Sequence, residues 1–171
     1  MSLVTIVNQV LSSLTIVGQV IIALLLTSLI RRSSMLDFLN RNALLFSFIV
    51  ASVATLGSLF YSEIAGYEPC KLCWFQRIFM YPQMVLLGMA LWKEDWGIAD
   101  YSIALSSIGA LIAGYHYLLQ TGLASSLLCS AVGDSAACSQ RFVYQFGYVT
   151  IPLMALTAFI LILLMLTKKK G

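Results

Sequence analysis

The most chemically distinctive stretch of the chain, residues 67–77, reads Y-E-P-C-K-L-C-W-F-Q-R. Cys70 follows Pro69, and proline is tolerated in the first turn of a helix, so Cys70 is expected at or just before a helix start. Cys73 then falls in the first turn, where unpaired amide hydrogens and the positive dipole end favour a thiolate. Arg77 projects from the same face one turn later and could hold an anionic or electron-rich ligand beside the sulfur. The stretch predicts a redox centre at a membrane surface.

The alternative for Cys70 and Cys73 is an inert pair or a structural disulfide. The Trp-Phe-Gln-Arg that follows favours a function, because an arginine one turn inside a membrane is costly and usually functional. The alternative for Arg77 is snorkelling, in which its side chain reaches only the lipid headgroups.

A second cysteine pair, Cys129 and Cys138, encloses eight residues that are small or flexible apart from Asp134. Such a loop can close a disulfide and can open to offer one sulfur to a visiting protein, but a static staple fits the spacing equally well. Zinc binding by all four thiolates is a third option, since CxxC is a common half-site. The spacing of the second pair is long for the other half-site, so no metal is expected.

His116 is the only histidine of the chain and lies between two tyrosines, one turn before Gln120. Its expected depth at the outer end of a helix resembles that of Arg77, so the two side chains could converge on one ligand. The alternative is an interfacial histidine without a chemical task.

Composition places the chain among membrane proteins. It is 60% hydrophobic and only 10% charged, with a mean hydropathy of +0.92, far from a soluble domain. The net charge of +3 is small and split between clusters, which gives nucleic-acid binding no support. The sequence predicts an all-α integral membrane protein of one domain.

Five apolar stretches are long enough to span a bilayer at about 20 residues each. They are residues 3–30, 43–61, 74–92, 101–119 and 148–167. The first has no basic leader segment and is long for a signal peptide, so it is expected to be a retained helix; a cleaved leader is the alternative. Pro82 is expected to kink the third span.

The basic residues predict the orientation of the spans. Seven of the ten lie in the 31–42 linker, at Lys93 and in the C-terminal tail. By the positive-inside rule these segments are cytoplasmic, and both cysteine pairs face the extracytoplasmic, oxidising side of the cell membrane.

Two dithiol pairs on that side could form a relay. Protein thiols would reduce the Cys129–Cys138 disulfide through a mixed disulfide, and the Cys70–Cys73 disulfide would reoxidise that pair. No haem or flavin motif is visible in the sequence, so a lipid-soluble quinone is the natural electron acceptor at that depth.

The octapeptide C-K-L-C-W-F-Q-R, the later H-Y-L-L-Q and the cysteine pair that follows resemble the disulfide bond formation protein B family, and most closely its short-loop branch, often called BdbC. The resemblance covers residues 43–167. It implies a four-helix transmembrane bundle, to which residues 3–30 add one helix, and divides the chain into an N-terminal segment, 1–42, and a redox domain, 43–171. The 120–147 loop is short for the family.

The resemblance also implies roles for the four cysteines. Cys129 would form the mixed disulfide with an extracytoplasmic thioredoxin-fold thiol oxidase, and Cys138 would resolve it. Cys70 would exchange with Cys129, and Cys73 would contact the quinone as a thiolate.

The resemblance further implies a bound quinone, ubiquinone or menaquinone. Arg77 matches the quinone-site arginine of the family, Gln76 stands beside it in the motif, and His116 aligns with a histidine near the quinone.

Two other readings are open. A vitamin K epoxide reductase-like protein also pairs loop cysteines with a membrane CxxC, but there the CxxC would follow the loop pair, whereas here it comes first. A non-enzymatic membrane scaffold with two structural disulfides would need Arg77 and Cys73 only for stability.

Overall fold

The structure, a computed structural model, describes residues 2–28, 41–123 and 141–170. These residues form five helices: α1 Leu3–Ser28, α2 Ala43–Leu59, α3 Lys71–Lys93, α4 Ile98–Thr121 and α5 Ile151–Lys170. Helix α2 is followed directly by a π-helical turn, Phe60–Ile64. The all-helical class predicted from the sequence is therefore confirmed.

The predicted spans agree with the helices except at some ends. The sequence predicts a last span that begins at residue 148, but α5 begins at Ile151. Before it, residues 145–149 form a tight turn closed by a bridge between Gln145 and Val149, with Phe146 and Gly147 at φ 54° and 79°. Two successive left-handed residues cannot belong to an α-helix, so the turn delays the helix start.

Of the helices that the structure describes, three are long and apolar enough to cross a membrane: Leu3–Thr27, Ala43–Ile64 and Ile98–Thr121. A shorter apolar helix covers Ile151–Thr167. The chain is thus a multi-pass membrane protein. The 23 residues of α3 are enough to span, but this helix is more polar than the others.

Two polar residues of α3, Gln76 and Gln83, are buried in the interior of the bundle. Gln83 is fully buried, accepts a hydrogen bond of 2.8 Å from the hydroxyl of Ser106 on α4, and donates to the carbonyl oxygen of Phe79. Hydrogen bonds of this kind join helices within a bilayer, where an unpaired amide would be costly.

Helices α2 to α5 form the four-helix bundle, and α4 and α5 make its closest packing. Phe159 of α5 is fully buried against Gly109 of α4, where a side chain would overlap the aromatic ring. The absence of a Cβ atom at position 109 lets the two helices approach.

Helix α1 packs on the outside of this bundle, mainly against α5. Leu25 is buried in a cluster with Ala43 at the start of α2 and with Leu161 and Met165 of α5. The predicted architecture, a four-helix bundle with one extra N-terminal helix, is confirmed.

Candidate redox site

Cys70 is the N-cap residue of α3, as the sequence predicts. Its extended backbone (φ −65°, ψ 168°) precedes the helix, and its sulfur accepts a hydrogen bond from the Cys73 amide at 3.4 Å. Both cysteines are free thiols, and their Sγ atoms lie 3.1 Å apart. The helix start therefore holds the two sulfurs side by side, with one amide hydrogen directed at Cys70.

His116 of α4 approaches the same sulfur from the neighbouring helix. Its Nε2 atom lies 3.7 Å from Cys70 Sγ, and its Nδ1 atom lies 2.9 Å from the amide nitrogen of Gln76. An amide nitrogen only donates, so Nδ1 is the acceptor and the imidazole proton lies on Nε2, facing Cys70. The side chain is buried, and Gln76 thereby fixes its tautomer.

These neighbours favour the ionised form of Cys70. The hydrogen bond with the Cys73 side chain lowers the pKa of Cys70, and the His116 imidazole and the Cys73 amide act in the same direction against burial, which raises it. The net effect is a Cys70 pKa below the usual value of a thiol. A thiolate at this position is the reactive form for disulfide exchange.

Arg77 turns towards α2 rather than towards His116. Its Nε atom donates to the Ser58 hydroxyl at 2.9 Å, and its Nη2 atom donates to the Ser58 carbonyl oxygen at 3.1 Å. The guanidinium lies 5.3 Å from the centroid of the Trp74 ring, and Tyr81 donates to the same Ser58 hydroxyl. Two of the five guanidinium donors are thus used, and the position of the charge is fixed.

Cys73 and Arg77 line a common cavity of about 300 Å³. Helices α1, α2, α3 and α5 all contribute to its wall, which is largely apolar. Along α2 and the π-helical turn that follows it, the lining runs from Ile49 to Tyr61, a distance of about 18 Å at the helical rise per residue. The cavity is therefore elongated, with the sulfur and the guanidinium at one end.

Three stacked aromatic rings stand at that end. The Tyr61 and Tyr67 rings are 5.8 Å apart, and the Tyr67 and Phe142 rings are 4.9 Å apart. All three side chains line the cavity. Within the part of the chain that the structure describes, the buried Tyr61 hydroxyl has no hydrogen-bond partner.

His116 lines a second, smaller space of about 20 Å³, together with Cys70 and Cys73. The two cavities share Cys73, Phe142 and Ile151. Arg77 lines the large cavity and His116 the small one, and Cys73 lines both. The two side chains that the sequence suggested could converge on one ligand therefore line separate spaces.

Cys129 and Cys138 lie outside the described residues. The chain leaves the described region at Leu123 and returns at Arg141. The Arg141 side chain donates to the Gln120 carbonyl oxygen, at 3.0 Å from its Nε atom, and Gln120 lines the same small cavity as Cys70. Both ends of the cysteine-bearing loop are therefore anchored beside the first pair.

Four residues of the site were not predicted from the sequence: Ser58, Tyr61, Tyr67 and Phe142. A serine or an aromatic residue near the end of a span is common at the interface, so residue type gave no signal. The one available clue was spacing, since Tyr61 and Tyr67 flank the segment that leads to Cys70.

Three potential metal ligands also meet here. The ligand atoms of Cys70, Cys73 and His116 all lie within 4.8 Å of one another. Two sulfurs and one imidazole are a donor set that zinc accepts. His116 was not part of the zinc alternative considered from the sequence, which used the four thiolates.

Comparison with known proteins identifies the family. The family model described as "Disulfide bond formation protein DsbB" matches residues 40–168. The chain is 49% identical over 120 residues to a probable disulfide formation protein C of Bacillus cereus, an alignment that covers 70% of the chain and 86% of the relative. It is 42% identical over 133 residues to disulfide bond formation protein C of Bacillus subtilis strain 168, covering 77% and 96%. No solved structure matches the chain.

A helical membrane bundle that holds a CxxC dithiol at a helix start is the architecture of a membrane thiol oxidoreductase. The chain belongs to the DsbB family of disulfide bond formation proteins, and its role lies in disulfide bond formation.

Proposed function

We propose that the protein is a protein-dithiol:quinone oxidoreductase of the cell membrane. It reoxidises an extracytoplasmic thioredoxin-fold thiol oxidase and passes the electrons to a membrane quinone. The observation that carries this proposal is the position of Cys73, whose side chain lines an elongated apolar cavity beside the guanidinium of Arg77 and lies 3.1 Å from Cys70.

The cavity suits a quinone in shape and in chemistry. A quinone has an apolar ring and tail and two carbonyl oxygens that accept hydrogen bonds. The lining is largely apolar, and its donors include Arg77, which retains guanidinium donors, and Tyr61, whose buried hydroxyl has no partner within the described chain. A buried donor without an acceptor is costly, so a ligand carbonyl would satisfy it. Arg77, Tyr61 and Gln76 are the residues that would hold the group.

The cysteine pair supplies the electrons. Closing the Cys70–Cys73 dithiol to a disulfide forms one S–S bond and releases two electrons and two protons. A quinone held by Arg77, Tyr61 and Gln76 beside Cys73 would supply the acceptor for these two electrons and two protons. His116, with its proton on Nε2 beside Cys70, would stabilise the thiolate before the bond closes.

The second cysteine pair would deliver the electrons to Cys70. Cys129 is six residues beyond Leu123 and Cys138 is three residues before Arg141. Such segments reach at most about 20 Å and 10 Å respectively, and both start next to the small cavity that contains Cys70. Thiol–disulfide exchange would run from the partner oxidase to Cys129, with Cys138 resolving the mixed disulfide, and then to Cys70.

The proposed location follows from the charge pattern and the fold. Cys70, the end of α4 and the start of α5 line one small cavity, so they share one end of the bundle. Seven of the ten basic residues lie in the 31–42 linker, at Lys93 and in the C-terminal tail. The described helix ends that adjoin these segments, at Ala43, Lys93 and Lys170, are the ends away from Cys70. The positive-inside rule places the cysteine end outside.

A visible spectrum of the purified protein tests the proposal. Ubiquinone or menaquinone is added, and the spectrum is recorded before and after a stoichiometric dithiol reductant. We expect a long-wavelength thiolate–quinone band in the wild type that Cys73→Ser abolishes. The absence of the band and of thiol-dependent quinone reduction with both quinones would contradict the proposal and favour the scaffold.

Metal binding is the second candidate, favoured by the three ligand atoms within 4.8 Å. Metal analysis of the reduced protein, purified without chelator, distinguishes the two. Stoichiometric zinc that is lost in His116→Ala and that prevents thiol oxidation would support a metal site. Reduced protein that stays free of zinc and reduces quinone would exclude it.

A further inference from the structure

Helix α1 lies outside the segment that matches the DsbB family, which begins at residue 40. It nevertheless packs closely on the family bundle. At Gly18, the position of a Cβ atom would be 3.0 Å from side-chain atoms of Thr157 and Leu161 on α5. Two turns earlier on α1, the Leu11 side chain lies 3.1 Å from the position that a Cβ atom would occupy at Gly57 of α2. The helix is therefore seated against both α2 and α5.

A hydrogen bond fixes α1 to the turn before α5. The Tyr148 hydroxyl donates to Gln19 Oε1 at 2.9 Å. A polar side chain in the middle of a membrane helix is costly unless it is paired, so this bond favours one rotation of α1 about its axis. That rotation determines which residues of the helix face the bundle.

One face of α1 forms a wall of the large cavity. Its lining residues are Leu11, Leu14, Thr15, Val17, Gly18 and Ile21. They recur at spacings of three and four, which places them on one side of the helix over about three turns. Cys73 and Arg77, on α3, line the same cavity.

We propose that α1 is the wall of a groove that seats the isoprenoid tail of the quinone, and that it sets which tail lengths bind tightly. This inference rests on the proposed function. The polar end of the cavity, at Arg77 and Tyr61, takes the quinone head, and the cavity continues about 18 Å along α2 as an apolar space that α1 helps to enclose. An isoprenoid chain attached to that head has the shape and chemistry of this space.

The tail is a better occupant than a separate phospholipid because the groove is continuous with the redox end. A phospholipid would have to place a charged headgroup or the end of an acyl chain beside Cys73, whereas the quinone tail leaves the head there. Phospholipid binding is an outcome of the test.

Two valines of α1 offer a matched pair of variants. Val17 lines the cavity and Val20 does not, while both are 54% exposed and lie three residues apart on one helix. Val17→Trp narrows the groove, and Val20→Trp adds the same bulk towards lipid. Full-length oxidised protein in nanodiscs is tested for equilibrium binding of a quinone with a short tail and of one with several isoprene units, so the readout does not depend on turnover.

We expect Val17→Trp to raise the ratio of the long-tail Kd to the short-tail Kd about tenfold, the effect of losing roughly two buried methylene groups. Val20→Trp should leave this ratio at the wild-type value. Leu14→Ala, which removes apolar wall without adding bulk, should raise the ratio in the same direction, and it covers the case in which Val17→Trp fails to fold.

An unchanged ratio in Val17→Trp and Leu14→Ala would overturn the inference, as would an equal rise in Val20→Trp. A copurified phospholipid that Val17→Trp displaces, without any change in the ratio, would overturn it as well. In these cases a wild-type protein that still binds and reduces quinone leaves the proposed function standing. A wild type that binds neither quinone would overturn the proposed function itself.

Discussion

The Nε2 atom of His116 on α4 lies 3.7 Å from the Sγ atom of Cys70 at the start of α3, although 46 positions separate them in the sequence. Through this contact α4 brings a titratable side chain to the cysteine pair. It gives His116 an influence on the charge of Cys70.

His116→Ala should raise the pKa of Cys70. In the native protein that pKa is lowered, first by the Cys73 side chain and then by His116, so the thiolate persists below the pH at which an ordinary thiol is protonated. Loss of a hydrogen bond to a charged group is worth about 1.5–3 kcal/mol, which corresponds to a rise of roughly one to two pH units. Ultraviolet thiolate absorbance of the reduced protein, followed against pH, measures it.

Tyr117→Phe is the matched control for this titration. Residue 117 is next to His116 on α4, but successive helical residues project in different directions, so it should leave the Cys70 titration unchanged. A Cys70 titration that is the same in His116→Ala and in the wild type would show that the histidine has no effect on the thiolate.

Much of the site geometry follows from local rules that the sequence makes visible. Pro69 before Cys70 marks a helix start, and the structure places Cys70 at the N-cap of α3. The four-residue spacing from Cys73 to Arg77 predicts a common face, and both line the same cavity. These relations depend only on helix geometry.

The relation between helices could not be predicted in the same way. Gln76 and Arg77 are consecutive and so point about 100° apart, and the structure directs Gln76 to His116 on α4 and Arg77 to Ser58 on α2. Which neighbour each one meets depends on the rotation and order of the helices in the bundle. Sequence periodicity does not contain this information when both faces of a helix are apolar.

Arg77→Ala should weaken quinone binding and leave the thiol chemistry intact. The variant removes a charge-assisted donor from the end of the cavity, and the corresponding loss of about 1.5–3 kcal/mol raises the quinone KM roughly 10- to 150-fold. Arg77→Lys keeps the charge but not the forked geometry that grips Ser58, so it should be intermediate. Stopped-flow oxidation of the reduced protein by quinone gives the KM.

Reduction of the Arg77→Ala protein by a small dithiol serves as the control, and it should proceed at the wild-type rate. If Arg77→Ala retains the wild-type quinone KM, the guanidinium only anchors α3 to Ser58, or reaches the headgroups, as the snorkelling alternative holds.

Tyr61→Phe should not destabilise the empty protein, but it should weaken the binding of quinone. In the empty protein the buried Tyr61 hydroxyl lacks a partner within the described chain, so its removal should leave the melting temperature unchanged or raise it. With quinone bound, the lost donor should lower the affinity by roughly threefold to tenfold, the value of one neutral hydrogen bond. Thermal unfolding with and without quinone measures both effects.

Tyr67→Phe provides the comparison, because it keeps the ring that stacks between Tyr61 and Phe142 and changes only a neighbouring hydroxyl. We expect its quinone-dependent rise in melting temperature to equal that of the wild type. A Tyr61→Phe protein that gains as much stability from quinone as the wild type would show that the Tyr61 hydroxyl does not contact the ligand.

Gly109→Ala should destabilise the bundle, whereas Gly114→Ala should not. Both glycines lie on α4, but a Cβ atom at 109 would overlap the buried ring of Phe159, while at 114 the nearest atom, Leu156 Cδ1, is 3.9 Å away. Forcing a methyl group into a packed contact costs about 1–3 kcal/mol, and at 114 the better helix propensity of alanine contributes up to about 1 kcal/mol. Denaturant unfolding in detergent gives the two free energies of unfolding.

A Gly109→Ala protein as stable as Gly114→Ala would mean that α4 and α5 do not pack at this distance. Because α4 carries His116, displacement of this helix in Gly109→Ala should also raise the pKa of Cys70.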